Sequence, residues 1–554
     1  MTASASLISP AAVPPRAATP RLKPSTSSAA SASHVAANRR TPRPAALDPL
    51  SDAATQALIR RTLCPQQAHD KARDEQPPPI EQLLPPLTSR NDVDLELYAF
   101  LAIILREFVQ SWYGNITTDE SFVAEILHIV AHVSRALEQR LRGLDLESLV
   151  LDELPELLGQ HIAAYRTAHQ GAMRAPVVVE PHDVYHSLWP LPHLSPVPRR
   201  GDEASQIEQS ENEAAYRQLL VQGVLAILLP TEDLENPCLT ALVGQIFSEL
   251  IIGGVLVNKA SQPWLLFEGI CILARVVEGK TPPKDAKLSN PDSKVPRNSS
   301  ARILHRLMLY MFQIVLSLFS WMRLLLETVA ISHALPPRAS YASVAGTERS
   351  DQGPDLAMHA QVPVLESSIW RCAGDLIELN SRMPWLAGIL SLMQFGAVHG
   401  PGRIARWDGT FDRLLSHRIS GLFSPARLSA TLRTLRGVLF PNNAPGTSSL
   451  TPPSSETELH DLRRRAAKAV WDVLPKSIGR VYFGTSDMLG LRARADECVG
   501  DEGAIDDVER ILMVLGDEYC NKHLVYGMLE LLLVRLMPEL SEKGIVELWE
   551  ERLG

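Results

Sequence analysis

Ala274–Thr281 reads ARVVEGKT, and a Gly-Lys-Thr run of this kind belongs to loops that wrap phosphate in backbone N–H groups and a lysine. That chemistry needs a strand before the loop and a helix opening at the Lys-Thr pair. Here a helical pattern precedes it, Pro282 and Pro283 follow, and Ala274 stands where glycine is usual, so the match reads as chance. His128 and His132, in HIVAH, share a helix face at a spacing that suits zinc. The glutamate of HExxH is absent and no third ligand stands out, so the pair reads as core- or boundary-lying histidines. His182, His186 and His193 fall in Pro-rich sequence and read as loop histidines rather than ligands.

The six cysteines, Cys64, Cys238, Cys271, Cys372, Cys498 and Cys520, form no CxxC pair and are too sparse for a disulfide scaffold, so they read as reduced, buried small hydrophobes. No G-x-S-x-G elbow and no GxGxxG after a strand is present. Asn115 and Asn298 begin glycosylation sequons that a cytosolic chain would not use. The chemistry-bearing residues therefore give no catalytic site, no metal site and no cofactor, and the expectation is a protein that is not an enzyme.

With 554 residues, 45% of them hydrophobic, the chain is long enough for several domains and a sizeable core. Its formal net charge of −9, with few aromatics and none interleaved with basic residues, argues against nucleic acid as a partner. The N-terminus lacks the apolar core of a secretory signal. It has no acidic residue before Asp48, as transit peptides do, but its prolines would break the helix such a peptide needs.

Residues 1–91 are rich in Pro, Ser and Ala and read as a disordered tail. Helical periodicity then runs through 92–278, with Leu97, Leu101, Ile104, Phe108 and Trp112 on one face. A next helix follows a capping-box spacing at Thr117 and Glu120, with Phe122, Ile126, Ile129, Val133, Leu137 and Leu141 on its face. A polar linker at 279–300, a hydrophobic amphipathic helix at 301–334, a linker at 335–364, a helical segment at 365–440, a linker at 441–456 and C-terminal helices at 457–554 complete the chain. No stretch alternates with period two, so the fold class is all-α.

Leu307–Met322 carries no charge before Arg323. On a helix, Arg306, Gln313, Ser317, Ser320 and Glu327 make a narrow polar stripe, and Leu304, Met308, Met311, Val315, Leu318, Met322 and Leu325 centre a wide apolar face. The run is short of the ~20 apolar residues a span needs. It is open to reading as a membrane span, a helix half-sunk in a membrane surface, the wall of an apolar cavity or an ordinary core helix. The seven apolar residues are the candidate lipid or membrane contacts.

The tract LYAFLAIILREFVQSWYGNITTDESF, with LDELPELLGQHIAAYRTA and LPTEDLENPCLTALVGQIFSELIIGGVL, resembles the PX-associated (PXA) domain of a branch of the sorting nexins and their fungal relatives. Arg106, Glu107, Phe108, Val109, Trp112, Tyr113 and Asp119 occur in the order of that pattern. The C-terminal CNKHLVYGMLELLLVRLMPEL resembles the last helices of the nexin C domain. The resemblance implies that the PXA and nexin C parts pair into one helical body suited to holding or moving lipid. It implies a non-enzymatic lipid-binding, even lipid-transfer, protein on endosomal, vacuolar or endoplasmic-reticulum membranes, with phospholipid or a membrane surface, and trafficking proteins, as partners. The alternative is a helical tether or trafficking scaffold without a lipid cavity. No strand-rich basic segment of PX type and no RGS-like domain is seen between the two ends.

Overall fold

The computed structural model describes residues 49–64, 78–113, 115–116, 121–169, 180–199, 201–278, 337–338, 362–443, 451–483 and 497–554, with single positions at 323, 330 and 335. No strand occurs among them, and the all-α class expected from periodicity is what they form.

Helix α1 (Asp52–Leu63) opens at Ser51, whose hydroxyl accepts the Ala54 N–H at 3.4 Å. Asp52 in its first turn and Arg60 and Arg61 in its last suit the helix dipole. Its Leu58, Ile59 and Leu63 share a core with Tyr98, Ala102 and Ile103 of α2 (Asn91–Ile104) and with Val123, Leu127 and Ala131 of α3 (Ser121–Arg142). Within the tail expected over 1–91, this corrects the reading at Asp52–Leu63. An amphipathic dozen, DAATQALIRRTL, spaces its apolar residues for one helix face, and composition averaged over ninety residues hides it. The face of α3 is also turned by about one residue from the expected set: Val123, Leu127 and Ala131 lie deepest and Leu141 is exposed. The helix serves two cores at once, since Ile126 and Val130 meet α1 and α2 while Ile129 meets the main core.

The main core is built from α4 (Leu154–His169), α5 (Pro181–Leu188), α6 (Glu203–Leu228), α7 (Pro237–Gln245), and the π-helix Ile246–Lys259 that continues α7. Helix α8 (Pro263–Glu278) follows. The middle of the chain supplies α9 (Ser368–Leu376), α10 (Pro384–His399), α11 (Thr410–Ser420) and α12 (Pro425–Leu439). The C-terminal part supplies α13 (Glu456–Val473), α14 (Lys476–Phe483), α15 (Glu497–Leu512), α16 (Glu518–Leu536) and α17 (Ile545–Leu553).

The two ends of the chain fold together, as the resemblance implied. Helix α16 lies against α4, α5 and the π-helix, and brings Tyr519, Cys520, Leu524 and Tyr526 into the same core as Ile162, Tyr185, Trp189 and Val257. Gly527 permits that approach, since a Cβ there would stand 2.7 Å from the Trp189 ring. Phe267 and Cys271 of α8 pack on Leu462 and Ala466 of α13, and α17 rests on α6. The middle segment is tied in at both ends. Arg166 of α4 donates to the carbonyls of Asp375 and, at 2.8 Å, Leu376, and Arg433 of α12 pairs with Glu96 of α2 at 2.8 Å.

Candidate functional site

Among the described residues, two regions stand out as candidate sites. The first is a seam of histidines and tyrosines between α4–α6 and α16. His161 is fully buried, its Nδ1 2.8 Å from the Tyr185 hydroxyl and its Nε2 3.1 Å from the Val514 carbonyl. His186 Nδ1 lies 3.2 Å from His523 Nε2, and the His193 ring stacks on Tyr216 with centroids 3.9 Å apart. Tyr526 donates to Glu213 at 3.0 Å, and Glu213 in turn faces Arg217 at 3.3 Å and Lys522 at 3.4 Å. Burial holds His161 and His193 neutral, lowering each to about 4, and lowers His523 to about 3.

The histidines at 182 and 186 thus stand on a helix and His193 in a short turn, not in the loop expected for them. His128 and His132 are exposed, not core- or boundary-lying. Their helix buries the positions just before them, which leaves both rings on the solvent side.

His182, Asp517 and Cys520 bring three possible ligand atoms within 4.8 Å of one another. Each already has another job. Asp517 caps α16 by accepting the Cys520 N–H at 3.0 Å, and its second oxygen lies 2.7 Å from His182 Nε2. Asp517 is drawn down to about 2 by these hydrogen bonds in spite of its burial. Burial pushes the Cys520 thiol well above its ordinary range, away from the thiolate a metal would want. The trio is a helix cap. Cys271 and Cys372 are likewise buried, whereas Cys238 is exposed.

The residues carrying the PXA resemblance are structural where they are described. Arg106, in the π-helical segment Leu105–Gln110 that continues α2, pairs with Glu107 at 3.0 Å and donates to the Asn443 carbonyl at 2.8 Å, tying that segment to the turn after α12. Tyr113 stacks on Phe122 with centroids 4.5 Å apart. The side chains of Phe108 and Trp112, and Asp119 with the cap at Thr117 and Glu120, lie outside the described residues. So do the candidate lipid contacts Leu304, Met308, Met311, Val315, Leu318, Met322 and Leu325.

The second region is apolar and open. Pro237–Lys259 is long and apolar enough to cross a membrane by length and composition. Its inner side is held by the fold: Val257 and Ile252 are buried, and Arg217 donates to the Ser248 carbonyl at 3.1 Å. Its outer side exposes Leu242, Ile246, Phe247, Leu250, Val255 and Leu256. Helix α10 is more open still. It has no charged residue, and Trp385, Leu392, Met393 and Phe395 are 62%, 70%, 66% and 62% exposed, with Ile389 and Leu390 about half exposed. Only Val398 is buried along its length. A helix this apolar belongs in a core or in lipid, yet the described residues cover little of α10 beyond Val398 and Gln394, whose side chain donates to the Leu365 carbonyl at 2.6 Å. A cue was present in the sequence: positions 383–402 contain no Asp, Glu, Lys or Arg, a longer run than Leu307–Met322. Pro384 and four glycines break up its periodicity.

A PXA domain matches residues 90–273. PXA domain protein 1 of Schizosaccharomyces pombe is 28% identical over 182 residues, 33% of this chain and 34% of that protein. Sorting nexin-25 of Homo sapiens is 24% identical over 198 residues, 35% of this chain and 20% of its own length. An uncharacterized Saccharomyces cerevisiae protein is 21% identical over 452 residues, 80% of this chain and 79% of that one. The chain thus spans about a third and a fifth of the lengths of the first two relatives. No solved structure matches.

Proposed function

Because residues 90–273 form a PXA domain like that of sorting nexins, we propose that this chain is a non-enzymatic, lipid-binding protein of membrane trafficking. It works on the cytosolic side of endosomal, vacuolar or endoplasmic-reticulum membranes. The observation that carries the reading is α10, an uncharged helix exposed on nearly every side. At 1.5 Å per residue it is about 24 Å long, short of the ~30 Å hydrocarbon core, so it enters one leaflet and does not cross. Its backbone satisfies itself, as any segment in lipid must. Each large side chain moved from water to hydrocarbon contributes about 1.5–3 kcal/mol. The open face of Pro237–Lys259 supplies a second apolar surface for the bilayer or for acyl chains, which is what lipid transfer would use.

The test is flotation of the full chain with phospholipid vesicles, together with mass spectrometry of lipid extracted from the purified protein. Leu392→Asp with Phe395→Asp should abolish flotation and leave the thermal melt unchanged, because both side chains are exposed. Native protein that neither floats nor carries lipid would favour the tether or scaffold reading.

A further inference from the structure

The segment that follows α10 is as unusual in charge as α10 is in apolarity. Between Pro384 and Phe440 stand seven arginines, two aspartates, and no lysine or glutamate, in a chain whose net charge is −9. Both aspartates are already used. Asp408 pairs with Arg413 at 2.7 Å, and Asp412 is buried against Arg338 at 2.8 Å. Arg433 and Arg436 are spent on Glu96. That leaves Arg403, Arg406, Arg418 and Arg427, all exposed and without an ion pair among the described residues.

Their placement is set by backbone. The turn after α10 is lashed back on it by the Ala405 N–H donating to the Ala397 carbonyl at 3.0 Å, and to α11 by the Phe411 N–H donating to the Ile404 carbonyl at 3.1 Å. Left-handed backbone at Arg403 and Asp408 makes that fold-back tight. Arg403 and Arg406 therefore flank the exposed Ile404 at the end of α10. Phe411 and Arg418 stand two turns apart on one side of α11, followed by exposed Leu422 and Phe423, then Arg427 and exposed Leu428 at the start of α12. Arg427 sits in a first helical turn, where the dipole disfavours a cation, so the helix does not account for it. Arginines alternating with exposed apolar side chains are what a phosphate-bearing surface over hydrocarbon requires: the apolar groups go down, and the guanidinium forks meet phosphate oxygens.

We infer that α10 through the start of α12 forms a docking face for an anionic phospholipid bilayer, with Arg403, Arg406, Arg418 and Arg427 reading the negative headgroups. The inference rests on the membrane reading above and adds the class of lipid.

The experiment uses the full chain with vesicles of phosphatidylcholine alone and of phosphatidylcholine mixed with phosphatidylserine, at low and raised salt. Native protein should favour the anionic vesicles, and salt should erase the preference. Arginine near an anionic surface is worth about fivefold each. Arg403→Gln with Arg406→Gln, and Arg418→Gln with Arg427→Gln, should therefore each weaken anionic binding by tens of fold and leave neutral binding and the melt as they were. Equal binding to both vesicles, or unchanged binding of both double variants, overturns the charge reading and spares the membrane one. Binding to neither vesicle overturns both. Dimerisation lost in Leu392→Asp, or cross-links from position 389 to residues 301–334, each without vesicle binding, would overturn the inference by showing the face covered by a second copy or by this chain itself.

Discussion

The seam under α16 is polar and buried, whereas the face of α10 is apolar and exposed, and each inverts the usual rule of globular proteins. The inversion is resolved in opposite ways. In the seam, most polar groups have found a partner, His193 Nε2 excepted: His161 holds Tyr185 and Val514, Tyr526 holds Glu213, and Asp517 holds Cys520 and His182. A satisfied buried network specifies one docking geometry and so works as a joint. On α10 nothing described resolves the exposure, so its resolution has to come from outside the described fold. Polar burial builds the structure here, and the apolar exposure of α10 is what the proposed function uses.

The largest effect should come from removing the joint. Residues 90–278 expressed without the C-terminal part would leave Tyr185, Trp189 and Leu194 bare where α16 now covers them. The fragment should keep helical far-ultraviolet dichroism, lose near-ultraviolet structure and aggregate. Supplying residues 451–554 in trans should restore a cooperative melt. A fragment that melts cooperatively alone would make the seam a contact between separate domains.

Next is the response to acid. His161 and His193 are held near 4 and His523 near 3, below the ordinary 6.5, so the unfolded chain takes up protons that the folded chain refuses. The stability tied to them is whole above pH 6.5 and is lost as pH falls from there toward 4. At pH 5 this is roughly 2 kcal/mol per histidine. Asp517, lowered to about 2, contributes above 3.8 and gives way only below it, so it does not shape this window. Urea titrations at pH 7 and pH 5 should show the loss. His193→Gln should remove its share of the pH dependence. A midpoint unchanged between the two pH values would mean the seam is wetter than its geometry.

Much of the joint was legible and little of its chemistry was. Helical periodicity and the PXA and nexin C resemblances pointed to an all-α body joining both ends. The seam's members, at 161, 185, 193, 216, 523 and 526, are brought together only by tertiary packing, and no spacing along the chain announces them. Helix α1 hides inside a segment whose average composition is that of a tail. The open face of α10 is hidden for a different reason. An uncharged run reads identically whether it ends in a core or on a surface, and only the neighbours decide. The same ambiguity kept four readings open for Leu307–Glu327.

The smallest effect on stability, and the one that extends the comparison furthest, concerns that last stretch. Its C-terminal side enters the fold at Arg338. There the guanidinium pairs with Glu147 at 2.6 Å and Asp412 at 2.8 Å and covers the Trp407 ring at 4.0 Å, while the Arg338 N–H donates to Asp408 at 2.6 Å. Asp412 also accepts the Val364 N–H at 2.8 Å, and the neighbouring Leu365 carbonyl accepts from Gln394 of α10 at 2.6 Å. The apolar stretch is joined in sequence through 328–337 to the anchor that holds α10, and a shared membrane contact would make the two respond alike. Met311→Asp with Leu318→Asp should then behave as Leu392→Asp with Phe395→Asp does. Flotation should be lost, and the melt should stay within the ~0.5 kcal/mol typical of surface changes. Were the stretch a core helix, the same pair would bury two unpaired carboxylates and unfold the chain outright. A collapsed melt would therefore assign Leu307–Glu327 to the structural side of the comparison and leave α10 alone on the functional one.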